Sequence, residues 1–347
     1  MPHLIVLATG FGLSVCLTAV AIRLGLRLGL ADAPGGRRKH ARLTSRFGVL
    51  PLFGAFTLSA LVGRALGVPS LDPNEPTRFA AFLLGGVVLF VLAVLDDARG
   101  LSPAPQLGLQ VLGASVAISG QVFIERFTNP FTRAEVVLPD LLGSVLGTIA
   151  VVGISLFWFL GMINTVNLLD GVDGLAASVG VIACAVTAVH MLREGQDSVA
   201  LLPVGMIGVL LGFLVFNRPP ARIFLGGGAL YLGYALACIG IVGGAKIALL
   251  VLVMGVPIAD VLWQIVDRLR RGQSPTSGDR GHLHLRLFDA GWSAPRIVGA
   301  YVLVCAALGS AALLPISPLA KLVVIGGVFL GVVIALRVLA SQAPAQA

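Results

Sequence analysis

The sequence predicts an all-α, polytopic integral membrane protein. Three observations carry that prediction. Only 12% of the 347 residues are charged, against about 25% in soluble domains. Hydrophobic residues make up 57% of the chain. Apolar runs of about 20 residues, the length that crosses a bilayer as a helix, recur from one end to the other. A chain this long has room for two soluble domains, but the spans read as one membrane domain over 1–347.

The runs can be taken in order. The first, at about 4–26, is too long for a signal peptide and lacks a convincing cleavage site, so it reads as a helix. A basic loop, ADAPGGRRKHARLTSR (31–46), separates it from a helix at 47–68. The third run, 79–95, ends at Asp96-Asp97, and a Pro-rich step leads into 105–120. The fifth, 143–163, ends in NTVNLLDGVDGLA, and helices at 174–192 and 199–216 follow. After NRPPARIFLGGG come 228–244 and 246–266, parted only by Gly243, Gly244 and Lys246. A polar loop, 267–295, precedes the last two helices at 297–314 and 318–338. No internal repeat is visible, which gives an inverted-repeat transporter no support. The four cysteines, Cys16, Cys184, Cys238 and Cys305, all sit inside apolar runs and read as small core residues.

About ten or eleven membrane helices are thus expected. Most of the 24 Lys and Arg residues fall in one alternate set of loops. By the positive-inside rule that set is cytoplasmic, with the N-terminus outside and the C-terminus inside. The rule also accounts for the net charge of +8, so no nucleic-acid partner is expected. The polar clusters, in loops 27–46, 96–104, 164–173, 217–228 and 267–295, all lie on that same face. One site assembled from several loops is the economical reading.

Each cluster has a chemistry. Adjacent Asp96 and Asp97 repel each other and persist cheaply only if solvated or holding a cation. Asn164, Asn167 and Asp170 are spaced by three, so in a helix they share a face. Asp173 and two glycines follow. His282 and His284 lie two apart beside Asp279, Arg280 and Arg286, a cationic set suited to an anionic group such as phosphate. The basic loop around His40 suits a lipid phosphate as well as anionic head groups. Carboxylates for a divalent cation, cations for phosphates and a bilayer supplying the lipid together point to Mg²⁺-assisted phosphoryl transfer.

The motifs resemble those of the polyprenyl-phosphate N-acetylhexosamine-1-phosphate transferases. D-x-P-x-x-R-[RK]-x-H stands at Asp32, Pro34, Arg37, Arg38 and His40. The DD motif with GLSP stands at Asp96, Asp97 and Gly100 to Pro103. N-x-x-N-x-x-D-G-x-D-G-L-A is complete at 164–176. The N-x-P-A-x-I-F-x-G stretch runs from Asn217 to Gly226, and S-P-x-x-x-D-R-x-H-L-H from Ser274 to His284. The last has the form of the UDP-N-acetylglucosamine branch.

The resemblance implies transfer of a sugar 1-phosphate, GlcNAc-1-phosphate above all, from a UDP-N-acetylhexosamine to undecaprenyl or decaprenyl phosphate. UMP is released and a lipid-linked envelope glycan begins. It implies Mg²⁺ (or Mn²⁺) held by Asp97, Asn167 and Asp170. Asp96 or Asp97 would activate the lipid phosphate or help hold the cation. His40, Asn164, Asn167, Asp173, Arg280, His282, His284 and Arg286 would bind substrates. It also implies a multi-pass protein of the bacterial inner membrane with its site toward the cytoplasm; a homodimer is an open option.

The chain departs from that family at chosen places. The family's F-M-G-D-[ST]-G-S reads Phe224, Leu225, Gly226, Gly227, Gly228, Ala229, one residue shorter and without the metal-binding Asp. Gln106 stands for a Lys, Leu285 for a third His, and Leu43, Ser45 and Val49 for Pro and Gly positions. Two readings follow: Asp260 or Asp173 completes the cation shell, or the chain binds polyprenyl phosphate or UDP-sugar in a regulatory role without catalysing.

Overall fold

A computed structural model describes residues 1–32, 43–244, 247–274 and 281–342. The expected elements His40 and Arg280 lie outside these described residues. Among them the order is α1 (Pro2–Arg27), β1 (Ala31–Asp32), β2 (Thr44–Ser45), α2 (Val49–Ala65), α3 (Glu75–Arg99) and α4 (Pro103–Ser119). Next come β3 (Arg126–Thr128), β4 (Glu135–Val137), α5 (Leu138–Leu142), α6 (Ser144–Leu169), α7 (Leu175–Arg193), α8 (Asp197–Asn217) and α9 (Gly228–Val242). The chain closes with α10 (Ile247–Val253), α11 (Gly255–Arg270), α12 (Leu283–Asp289), α13 (Ala294–Ala312) and α14 (Pro318–Gln342).

Every apolar run is helical, and the all-α membrane class holds. The number of full-length spans is smaller than the sequence suggested. Seven helices, α1, α3, α6, α7, α8, α13 and α14, are long and apolar enough to cross a bilayer. The pair α10 and α11 makes an eighth only if counted as one span, and it is bent by 82°. Helices α2 and α9 are shorter apolar helices. Helix α4, 17 residues long, is not among the spans.

The bend lies inside what reads as one continuous run, 246–266. Its cause is in the sequence. Pro257 has no N–H to donate and its ring clashes with the carbonyl four residues back, so a helix must restart before it. The restart falls at Met254, with Pro257 in the first turn of α11, where proline is tolerated.

The bundle is apolar both inside and outside: Phe56, Phe82, Leu89 and Phe159 are fully buried. Large apolar side chains also face outward, as at Leu84, Ile149, Leu303 and Leu330, while α1 buries Gly10, Ser14, Thr18, Ala21 and Gly25. With lipid outside, helices associate through small residues and close packing. Helix α9 is buried along its whole length and forms the axis. Tyr234 on it donates from Oη to the Phe82 carbonyl at 3.0 Å and stacks on Phe159 with ring centroids 5.6 Å apart. Trp158 of α6 donates from Nε1 to the Ala237 carbonyl at 3.2 Å.

Two small sheets sit at opposite ends. β1 and β2 pair antiparallel, and Ser45 bridges on to Ile223. β3 and β4 form a hairpin on the loop between α4 and α6. The sequence had shown nothing distinctive there.

Candidate functional site

The polar clusters are carried mostly by helix ends rather than loops. Asp96 and Asp97 lie in the last turn of α3, because nothing breaks that helix before Gly100. Asn164 and Asn167 lie in the last turns of α6, and Asp170 is its C-cap residue. All belong to one end of the bundle, as do the 217–228 loop and the segment from Gly281 to α12.

A cavity of about 1580 Å³ opens from this end and runs between α4, α6, α11 and α14 to the β3 hairpin. Its polar end is lined by Gln106, Gln110, Asn164, Asn167, Asp170, Gly171, Arg268 and His282. Its walls are apolar, with Ile154, Phe157, Trp158, Val251, Leu262 and Ile325 among them. Arg126 and Lys321 stand at the far end. The 82° bend of α10 and α11 forms one side.

Asp97 is placed differently. Its side chain is fully buried. The Gly227 N–H donates to both its oxygens, at 3.1 and 3.0 Å. The Arg46 guanidinium lies 3.5 Å from Oδ1 and 3.3 Å from Asp32. Asp96 and Asp170 are within electrostatic reach of it. Asp96 itself accepts from the Leu101 N–H at 3.0 Å, closing the end of α3.

The glycine loop explains this arrangement. Gly226 adopts φ +55°, and a Cβ there would stand 2.8 Å from Asp97 Oδ1. A Cβ on Gly227 would stand 2.6 Å from Ala93 Cα, Cβ and O. The loop is pressed onto α3 so closely that no side chain fits. The carboxylate beside Gly226–Gly228 is therefore Asp97, reaching across from α3.

Neither acid considered as a substitute reaches that loop. Asp173 accepts from the Ala221 N–H at 2.9 Å. Close by, Asn217 accepts from the Gly174 N–H at 3.1 Å and donates to the Ile223 carbonyl at 2.8 Å. These bonds tie the start of α7 to the 221–226 segment. Asp260, on α11, is 3% exposed. Its Oδ2 accepts from the Leu283 N–H at 3.1 Å and faces His282 Nδ1 at 3.2 Å.

The two histidines are buried with their rings nearly parallel, centroids 5.9 Å apart. His282 lines the cavity. His284 packs behind it against Gly171, where a Cβ would collide with its Nε2. Arg286 turns away, donating from Nε to the Gly281 carbonyl at 2.8 Å and from Nη1 to the Leu336 carbonyl at 3.1 Å. Its groups hold backbone, not the cavity. Asn164 is held by Nδ2 bonds to Gln110 Oε1 at 2.9 Å and the Leu160 carbonyl at 2.8 Å.

The structure thus brings Asn164, Asn167, Asp170 and His282 to one cavity end. It sets Asp96, Asp97, Asp173 and Arg286 to fastening the surrounding backbone. Sequence reasoning missed Arg46, Gln110, Gln264 and Arg268. For Gln110 the signal was available: a Gln amid an apolar run, 1% exposed here, is a polar group a membrane does not carry idly.

Among the described residues no three acidic, His or Cys side chains gather into a metal cage. Mg²⁺ does not require one, since it binds through one or two carboxylates plus substrate phosphates. Asp170, with Asn167 one helical turn before it, offers oxygens of that kind at the cavity end.

The comparisons with known proteins agree with this architecture. Residues 79–244 match the model of glycosyl transferase family 4. The chain is 31% identical over 284 residues to a probable undecaprenyl-phosphate N-acetylglucosaminyl 1-phosphate transferase of Bacillus subtilis, covering 80% of this chain and 75% of that one. It is 30% identical to the decaprenyl-phosphate N-acetylglucosaminephosphotransferase of Mycolicibacterium smegmatis, over 79% and 72% of the two chains. A phospho-N-acetylmuramoyl-pentapeptide-transferase of Geobacillus kaustophilus is 30% identical over 85% and 91%. On these matches, with the buried helix ends and cavity just described, the chain belongs to glycosyl transferase family 4.

Proposed function

We propose that this protein transfers N-acetylglucosamine 1-phosphate from UDP-N-acetylglucosamine to a polyprenyl phosphate, releasing UMP. The observation that carries the reading is the cavity: apolar for most of its length, and furnished with Asn167, Asp170, Arg268 and His282 at one end. An isoprenoid chain and a diphosphate need those two environments side by side. The names and coverage of the relatives support the same pair of substrates.

In the reaction an oxygen of the lipid phosphate attacks the β-phosphorus of the nucleotide sugar. The bond from that phosphorus to the bridging oxygen breaks, and UMP departs with the oxygen. The protein's part is positioning and charge neutralisation. Arg268 and His282 face the phosphates. The side-chain amides of Asn164 and Gln110, locked to each other, shape the floor. Asp170 and Asn167 would hold Mg²⁺, which when bound offsets negative charge on the diphosphate oxygens. Asp97 would act one step removed, keeping the Gly226–Gly228 loop and Arg46 in place. The polar end faces the cytoplasm of a bacterial inner membrane on this reading, because the basic loops cluster there.

Purified protein in detergent, given UDP-GlcNAc, undecaprenyl phosphate and MgCl₂, should release UMP, and EDTA should stop it. Replacing the donor with UDP-GalNAc tests the sugar. A second reading, a binding protein without catalysis, is favoured by the missing acid at Gly227. Nucleotide binding with no UMP release under any of these conditions would establish it and end the first.

A further inference from the structure

The structure assigns to Asp260 a role in the transfer: it is the positioning residue that orients His282 toward the bound substrate. The inference deepens the transferase reading and rests on it. Three observations carry it.

The first is the grip of α11. Asp260, Gln264 and Arg268 are spaced by four and so share one face of the helix. Asp260 accepts the Leu283 N–H and faces His282 Nδ1. Gln264 donates from Nε2 to the Gly281 carbonyl. The helix therefore holds the backbone on both sides of His282, while Arg268, next along the same face, lines the cavity.

The second is the orientation of the ring. His282 is 3% exposed. With Nδ1 turned to the carboxylate, Nδ1–H is the tautomer the pair favours, and the second nitrogen is fixed in direction. That nitrogen, Nε2, has no hydrogen-bond partner among the described residues, and its ring lines the cavity end that holds Asp170 and Arg268. In that tautomer Nε2 is an acceptor, and a hydroxyl of a bound substrate is the donor that would pair with it.

The third is the excess of charge over structural need. The Leu283 N–H requires one acceptor oxygen, which an amide supplies as well as a carboxylate. A buried carboxylate is expensive unless its charge is answered. Asp260 Oδ1 finds no donor among the described residues, and the side chain that Oδ2 faces is His282.

A double-mutant cycle separates this role from a structural one. Asp260→Asn keeps the shape and the acceptor for Leu283. It should lower kcat/KM for UMP release about 10- to 100-fold, the range typical of residues that orient a functional histidine. His282→Ala should lower it at least as far. The combined variant should be no worse than His282→Ala alone. Asp260→Glu, which keeps the charge, should recover part of what Asn loses. It also replaces Asn in the cycle if the Asn variant fails to fold in a thermal-melting check.

Losses that simply add, or a His282→Ala variant as active as the parent, would overturn the inference while leaving the transferase reading intact. If the unmodified protein releases no UMP, the transferase reading fails. The same cycle is then read by UDP-GlcNAc affinity, where coupling supports the pair and additivity refutes it.

Discussion

Two of the buried acids at this bundle end, Asp97 on α3 and Asp260 on α11, do different work. Asp97 is consumed locally. Both its oxygens take the Gly227 N–H, Arg46 leans on it, and the ring of contacts closes the Gly226–Gly228 loop against Ala93. Asp260 instead holds His282, whose ring lines the cavity. One side of the site is shut and the other open. The lesson is that a carboxylate's role depends less on its presence at a helix end than on what is left over after the backbone has been satisfied.

Asp170 belongs to the open side, and removing its charge should give the largest effect. Asp170→Asn is isosteric and should lower UMP release by about 10³-fold, or about 4 kcal/mol of barrier, with little change in melting temperature. A rate within tenfold of the parent would remove Asp170 from the phosphate end. The shut side should respond in stability. Restoring the family's acid by Gly227→Asp forces a side chain into the 2.6 Å gap to Ala93. Overpacking of this kind costs about 1–3 kcal/mol, and the variant should melt lower and gain no activity. A Gly227→Asp protein that is stable and faster would show that the loop is not closed.

Asp97→Asn probes the same side more gently. The amide replaces one of two oxygens that accept the Gly227 N–H and turns a donor toward Arg46 or Gly227. Loss of such a charge-assisted contact costs about 1.5–3 kcal/mol, discounted here because Arg46 is 37% exposed. A melting temperature lowered by Asp97→Asn and held by Asp170→Asn is the expected pair of results. Equal melting and equal loss of rate in both would mean that the two sides do one job.

How much of this was visible beforehand follows from chain distance. The helices came from apolar run length, a local property, and each run became helical, 246–266 as two helices. The bend at Met254 was also local, written in Gly255 and Pro257, yet a continuous apolar run concealed it. Asn164 and Asn167 looked like loop residues because they are polar, but no helix breaker intervenes before Gly171, so α6 continues through them. The partnerships were out of reach. Asp97 and Gly227 are 130 residues apart, and Asp260 on α11 and His282 at the cap of α12 are 22 apart. No spacing rule connects such pairs. The motifs gathered the right side chains, but only packing could sort those that hold backbone, such as Asp173 and Arg286, from those that line the cavity.

The finest test asks whether the other departures from the family pattern are as irreversible as the glycine loop. Gln106 stands where the family has Lys, and it lines the open cavity. Unlike Gly227, it already has a long side chain with space beside the phosphate end, so a Lys fits there without displacing backbone. Gln106→Lys should leave the melting temperature unchanged and add one cation near the diphosphate. At a partly solvated site an added charge contact is worth about 1 kcal/mol or less, so UDP-GlcNAc affinity should rise up to about fivefold at low salt. The gain should shrink at 0.5 M NaCl as screening shortens its range. An affinity that falls, or a gain indifferent to salt, would place the phosphates away from α4 and confine the anionic end to α6, α11 and His282.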